Sequence, residues 1–458
     1  MTSDVSTTRL SRRGLVIGGA SGLGAAALLG QRRVARAARR YAGSKPTLNL
    51  ATSAGVLTTY AGLADDFKKQ TGITLNVIGF PENALYDKIQ LDIASGARRF
   101  DLALTGAGGA KQFGLAGHLL PLPRPKDIGD FFTAAIQQYS IGGKLFGYPT
   151  TTDTNLYYWR TDLAKKAGLD ATRPPATLDE FRRHAIALTV DTKGRHPDDR
   201  NFDQSSVAVY GANYKGSASL ACTWEWYNYL FAYGGDVLRS GDYTVTVDQP
   251  AAVAALQWVV DNYRTYKIYP QGVPTFDYTE FHTLFYAGKV ATCLNWPYMY
   301  AAAQDPKLSK VAGKVAVGLR PGKATHGGEL GGWSIGALSQ TRYPEEAIAA
   351  ATFFSSPRAV HLYATRGQTP ARRSAFKELT AQQPALYRAI SDNLAHGRGL
   401  NLLATGPSWP ACEKILAQAV QQALIGQASP KDALSAARSS ITGILRRNRF
   451  YEQVRKVG

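Results

Sequence analysis

Cysteine is scarce in this chain of 458 residues: Cys222, Cys293 and Cys412 are an odd count without any Cys-x-x-Cys spacing. The metal and redox motifs built on that spacing are therefore missing. One disulfide in an oxidising compartment and a role as small buried hydrophobes both stay open, because sequence cannot pair the thiols. The seven histidines are scattered without zinc-type spacing. Low-complexity blocks and repeats of solenoid period are lacking as well, so a soluble folded protein is the default. The apolar stretch from Leu15 to Leu29 is about 15 residues, short of the ~20 that span a bilayer. A dense stripe of Lys and Arg interleaved with aromatics, the footprint of nucleic-acid binding, is also missing apart from Arg446-Arg447-Asn448-Arg449.

Charge is plentiful, at a formal net of +19. Residues 1–45 hold nine arginines and lysines against Asp4 alone, so eight of those positive charges sit there. The remainder reads as a solvated basic surface, with a preference for anionic ligands as the other reading. Ser11-Arg12-Arg13-Gly14-Leu15-Val16 is a twin-arginine pattern, the mild apolar stretch follows it, and Ala35-Arg36-Ala37 supplies an A-x-A-like cleavage site. Residues 1–37 are thus expected to be an export signal, with the mature chain starting near Ala38. No cysteine follows the apolar run to carry a lipid anchor. The expected location is the periplasm or the outer face of the cell membrane.

In the mature chain Thr47–Thr52 alternates like a strand, and the next segment sets Tyr60, Leu63, Ala64 and Phe67 on one helical face before Gly72. Ile73–Gly79, Ala84–Ala94 and Phe100–Leu104 continue as strand, helix, strand. This alternation predicts a parallel-sheet α/β domain, whose ligands sit beyond the carboxyl ends of strands. Ser53 and Asn83 lie at such ends. Thr177-Leu178-Asp179-Glu180 reads as a capping box. Gly332-Trp333-Ser334-Ile335-Gly336 fits the serine-hydrolase elbow by letter, but apolar residues continue past it and the next helix waits until Pro344. Gly106-Ala107-Gly108-Gly109 lacks the Walker Lys-Ser/Thr and reads as turn glycines. No stretch singles out two carboxylates as a glycosidase pair.

What remains is aromatic residues beside hydrogen-bonding groups. A pyranose lays its C–H face on a Trp or Tyr ring while its hydroxyls need polar partners, so a sugar site wants both. Trp224, Trp296, Tyr298, Trp333 and Trp409 are the candidate stacking rings. Asn83, Asp153, Glu225, Asn295 and Arg372 are the candidate polar partners, with Ser53, Thr151 and Gly332 beside them. Trp159 and Trp258 read as core.

The stretch Gly143–Thr189 resembles one family in particular. Its Gly-Lys-Leu-Phe-Gly-Tyr-Pro strand, Thr150-Thr151-Thr152-Asp153-Thr154 run, Tyr-Tyr-Trp-Arg segment and Pro-Ala-Thr-Leu-Asp-Glu helix start follow the order found in the bacterial extracellular solute-binding proteins of family 1, the sugar-type receptors of ABC importers. Gly234-Gly235-Asp236, Gly288-Lys289-Val290, Gly331-Gly332-Trp333 and Thr369-Pro370-Ala371-Arg372 continue the resemblance, which covers Thr47–Leu445. It implies an α/β, two-lobed, type II periplasmic-binding-protein-like fold with an interlobe cleft. Residues 45–150 plus about 319–355 would form lobe I, and about 151–318 plus 356–458 lobe II. Hinge strands are expected near Pro149–Thr154, Leu319–Pro321 and after Phe354. The resemblance further implies a monomeric receptor for a mono- or oligosaccharide, with a membrane permease as partner, no cofactor and no nucleic acid. Another solute (polyol, sugar phosphate, uronate, polyamine) is the alternative, and an exported glycoside hydrolase the rival from a different class. Trp296 departs from the pattern, since many relatives have a small residue there.

Overall fold

The computed structural model describes residues 45–365 and 368–452, so the twin-arginine pattern and the cleavage site lie outside the described residues. Strand β1 (Thr47–Ser53) leads to helix α1 (Leu57–Thr71), which buries Tyr60, Leu63, Ala64 and Phe67 on the expected face. It ends where Gly72, at φ +72°, donates its N–H to the Lys68 carbonyl, a left-handed stop that glycine adopts without Cβ strain. Then come β2 (Thr74–Phe80), α2 (Glu82–Ser95), β3 (Leu102–Thr105) and α3 (Ala107–Leu115). The glycines expected to form a turn at 106–109 instead open α3.

Short strands β4 (Tyr148–Pro149) and β5 (Asp153–Thr154) precede β6 (Leu156–Arg160) and α4 (Leu178–Leu188). Half of the expected capping box is present: Thr177 Oγ1 accepts the Glu180 N–H at 3.1 Å, whereas the Glu180 carboxylate turns to the Ala176 N–H and to Arg173, each at 2.7 Å. The arginine offers a charged donor that the N-cap amide cannot match. Next are β7 (Val190–Asp191), β8 (Val207–Ala212), α5 (Leu220–Ala232), α6 (Pro250–Arg264), α7 (Tyr278–Tyr286) and β9 (Val290–Asn295). The chain continues through β10 (Val315–Gly318), β11 (Gly328–Gly331), β12 (Ser334–Ala337) and α8 (Pro344–Phe354). It closes with α9 (Pro384–Ala395), β13 (Gly397–Arg398), α10 (Trp409–Ile425) and α11 (Pro430–Arg447). Ser429 caps the last helix, accepting the Asp432 N–H at 3.1 Å.

These strands form two five-stranded sheets of mixed direction, ordered β2-β1-β3-β12-β4 and β10-β6-β9-β8-β7. A three-stranded sheet, β13-β11-β5, stands between them. The first sheet is buried on both faces: Leu48 and Leu50 join the main core, while Ala51 and Ala103 meet Leu85, Ile89, Phe113 and Phe146 on the other side. Helices on both faces are what parallel strands require. The chain leaves the first sheet at β4, passes through β5 and enters the second at β6. It returns from β10 through β11 to β12.

That return is made in two pieces. Gly331–Ile335 looks like one strand, yet it is broken into β11, in the connecting sheet, and β12, in the first sheet. The corner is Gly332, at φ +114°, where a Cβ would lie 2.5 Å from the Thr151 carbonyl oxygen. Ser334, the serine of the hydrolase-like motif, is fully buried with Oγ 3.2 Å from Thr105, on a strand followed by no helical turn. All three cysteines are buried free thiols, which closes the disulfide alternative. Among the described residues no helix is long and apolar enough to cross a membrane.

Candidate ligand-binding site

The carboxyl ends of the first sheet, the connecting strands and the helices α5 and α10 meet in one region. On the first side, Thr52 and Ser53 at the end of β1 are buried, and Thr52 Oγ1 has no hydrogen-bond partner among the described residues. Asn83 falls in the first turn of α2, and its side chain lies outside what is described. Tyr86, further along α2, accepts the Gly106 N–H at 2.9 Å. The glycines that open α3 are there for close approach: a Cβ on Gly108 would sit 2.8 Å from the Trp409 ring, and one on Gly109 2.7 Å from the Tyr86 ring. Trp409 belongs to α10, which packs on α5 and α6, and α5 in turn lies against β11. Its indole therefore reaches across from one half of the molecule to the other.

In the connection, Thr151 Oγ1 accepts the Trp333 N–H at 3.0 Å, while the N–H groups of Thr150 and Thr151 donate to the Trp333 carbonyl at 2.9 and 3.3 Å. Trp333 is held by its backbone, and its half-buried ring packs between both core clusters. Asp153 pairs with Gly331 across β5 and β11. Burial pushes its carboxyl up to about 6, against the pull of a hydrogen bond from Thr369.

On the second side, Trp224 and Trp296 lie with ring centroids 5.8 Å apart at 55°. The Trp296 ring covers Gly331, where a Cβ would come within 2.8 Å, and its Nε1 donates to Tyr278 Oη at 3.1 Å. Glu225 is buried in an ion pair with Lys215, whose ammonium sits 3.9 Å over the Phe281 ring. Asn295 Nδ2 and Tyr298 Oη stand 2.8 and 3.2 Å from His282 Nε2. Burial, with Lys215 nearby, holds the imidazole down to about 4, so at neutral pH it is uncharged and accepts through Nε2. Tyr298 is 49% exposed. Trp409 Nε1 donates to Glu413 Oε2 at 2.8 Å, and Tyr227 and Thr223 donate to the same carboxylate.

Thr151, Asp153, Trp224, Glu225, Trp296, Gly332 and Trp333 are thus brought together around the β11–β12 corner, and Trp409 joins them from α10. Trp159 and Trp258 are buried in the core. Arg372 has another use: Nε donates to the Ser355 carbonyl at 2.7 Å, Nη1 to Asp127 at 2.7 Å and Asp130 at 3.1 Å, and its guanidinium lies 3.9 Å from the Phe131 ring centroid. Its charge is spent within the fold. Tyr86, Tyr278, Glu329 and Glu413 were not singled out by sequence. Only Glu413 carried a signal, its place one helical turn after Trp409. Trp224 Nε1, Glu225 Oε1, Asn295 Oδ1 and Thr152 Oγ1 have no hydrogen-bond partner among the described residues. Buried polar atoms are ordinarily satisfied, so this concentration beside stacking rings suits a ligand with many hydroxyls.

Two five-stranded sheets, a set of connecting strands and the gathering of rings and unsatisfied polar atoms where they meet define a class, the two-lobed solute-binding proteins. The model of the family described as bacterial extracellular solute-binding protein matches residues 51–361, and the chain belongs to that family. It is 27% identical over 396 residues to a probable ABC transporter-binding protein of Deinococcus radiodurans, covering 83% of this chain and 89% of the relative. A maltodextrin-binding protein of Bacillus subtilis is 22% identical, over 82% of this chain and 85% of its own. Among solved structures, maltose-bound MalE3 of T. maritima superposes with a TM-score of 0.73 at 24% identity, over 87% of this chain and all of the other.

Proposed function

We propose that this protein is the extracytoplasmic receptor of an ABC importer for a carbohydrate, a mono- or oligosaccharide, which it captures between two lobes and hands to the membrane permease. The observation that carries this reading is the meeting of Trp224, Trp296, Trp333 and Trp409 with buried, unpartnered polar atoms at the β11–β12 corner. Lobe I comprises residues 45–150 and about 319–355, and lobe II about 151–318 and 356–458. The chain bends where β5 pairs with β11. The ligand favours the closed form, because only that form touches it from both sides. The protein acts as a monomer, exported by the twin-arginine route, and binds without catalysis. The kinship to a maltodextrin-binding relative and a maltose-bound neighbour supports a sugar.

The test is thermal unfolding of the chain from Ala38 onward against mono- and oligosaccharides and polyols, with recovery of the ligand. A bound sugar at ~100 times its Kd adds about 2.7 kcal/mol and raises Tm by a few degrees. Trp296→Ala, which removes the ring over Gly331, is expected to weaken binding about tenfold or more while leaving the fold intact. A shift that survives both Trp296→Ala and Trp333→Ala places the ligand elsewhere, and a cleaved ligand makes the protein a hydrolase.

A further inference from the structure

Glu329 is carried by β11, two residues before Gly331. Glu329 and Gly331 are two residues apart on one strand and so share a face, the face on which Gly331 meets the Trp296 ring. The Glu329 side chain is fully buried, and neither carboxylate oxygen has a hydrogen-bond partner among the described residues. The groups acting on it are few. Glu413 adds a like charge, Arg320 an opposite one, and Tyr227 and Tyr278 stand close enough to feel it. Arg320 gives Glu329 its charge but no hydrogen bond: its Nη1 and Nη2 donate to Thr154 Oγ1 and to the carbonyls of Asn155, His326 and Asn393, and its Nε has no partner among the described residues. Glu225 is already matched by Lys215. Two carboxylates against one guanidinium leave this corner one positive charge short.

A buried carboxylate in that position must take a proton or a cation. A hydroxyl brings one donor and no charge, whereas an ammonium brings three donors and the missing charge. We propose that the ligand carries a protonated amine, as an amino sugar does, and that Glu329, backed by Glu413, receives it. This rests on the carbohydrate reading above and narrows it. In the empty protein burial and then Glu413 raise the Glu329 carboxyl well above the ordinary carboxylate range, and burial pushes Glu413 up to about 7. The site therefore holds a proton when empty and gives it up when an ammonium enters.

The experiment is titration calorimetry of the chain from Ala38 onward at pH ~6, where an amine is fully protonated. Glucosamine, N-acetylglucosamine and glucose are compared, together with their β-1,4-linked disaccharides, in two buffers of different ionisation enthalpy. The amino member of each set is expected to bind about tenfold or more tightly than its N-acetylated and neutral counterparts, and to release close to one proton on binding. Glu329→Gln is expected to abolish the preference and the proton release. If N-acetylated or neutral sugars bind as well as the amine, if no proton is released, or if the preference survives Glu329→Gln, the amine is wrong and the sugar receptor stands. If no sugar of either size binds, the carbohydrate reading itself falls. The proton count uses the unaltered protein, so it decides even if the variant fails to fold.

Discussion

Asp153 places an ionisable group where the chain turns from one half of the molecule to the other, and its protonation is felt in stability. Its carboxyl ionises at about 6 in the folded protein, above its ordinary value of 3.8. The folded state therefore binds more protons than the unfolded one between those values, and stability falls as pH rises from about 4 to about 6. With its side chain partly exposed, this portion is on the order of 1–2 kcal/mol. Asp153→Asn is expected to remove it, so urea unfolding of the ligand-free variant should show a flatter pH profile across that window. An unchanged profile would assign the slope to another group. Arg372 shows how far residue-level reading of a sequence reaches. A lone arginine in a turn motif looks like an anion receptor, but Asp127 and Asp130, more than two hundred residues earlier, neutralise it. No local pattern carries such a distant pairing.

At the scale of elements, the regular parts were legible and the corners were not. The apolar face of α1, its Gly72 stop and the Ser429 cap of α11 all follow from side-chain periodicity and capping chemistry local to the sequence. The break between β11 and β12 does not. Gly331–Leu338 keeps an apolar pattern throughout, and only the left-handed φ of Gly332 reveals that it serves two sheets. Likewise, the glycines at 106–109 open a helix because the rings of Trp409 and Tyr86, distant in sequence, come in against them. Trp224, Trp296 and Trp333 were legible as candidates because aromatic residues stand beside polar and glycine neighbours. Glu329, between Gly328 and Leu330, offered no such sign. Gly332→Ala meets both a forbidden φ and the Thr151 carbonyl, so it should cost about 2–4 kcal/mol and shift the urea midpoint accordingly. A loss below ~0.5 kcal/mol would mean the corner relaxes freely.

For the whole molecule, three strands of a small sheet join two large ones, and Trp409 spans the gap to α3. Few covalent crossings between two well-packed bodies favour hinge motion, with most of each core undisturbed. Small-angle scattering of the chain from Ala38 onward should give a smaller radius of gyration with bound sugar than without. No change on saturation would count against closure around the ligand.

The order of the first sheet also governs how the chain is made. Strand β12 fills the position between β3 and β4, yet Ser334 follows Pro149 by about 185 residues. A nascent chain that has produced β1 to β4 still lacks the strand that joins β3 to β4. The first half must wait, with an unpaired edge, until most of the second half has been synthesised. The first half therefore cannot mature alone, and it folds slowly and late, after the strands of the second sheet are already made.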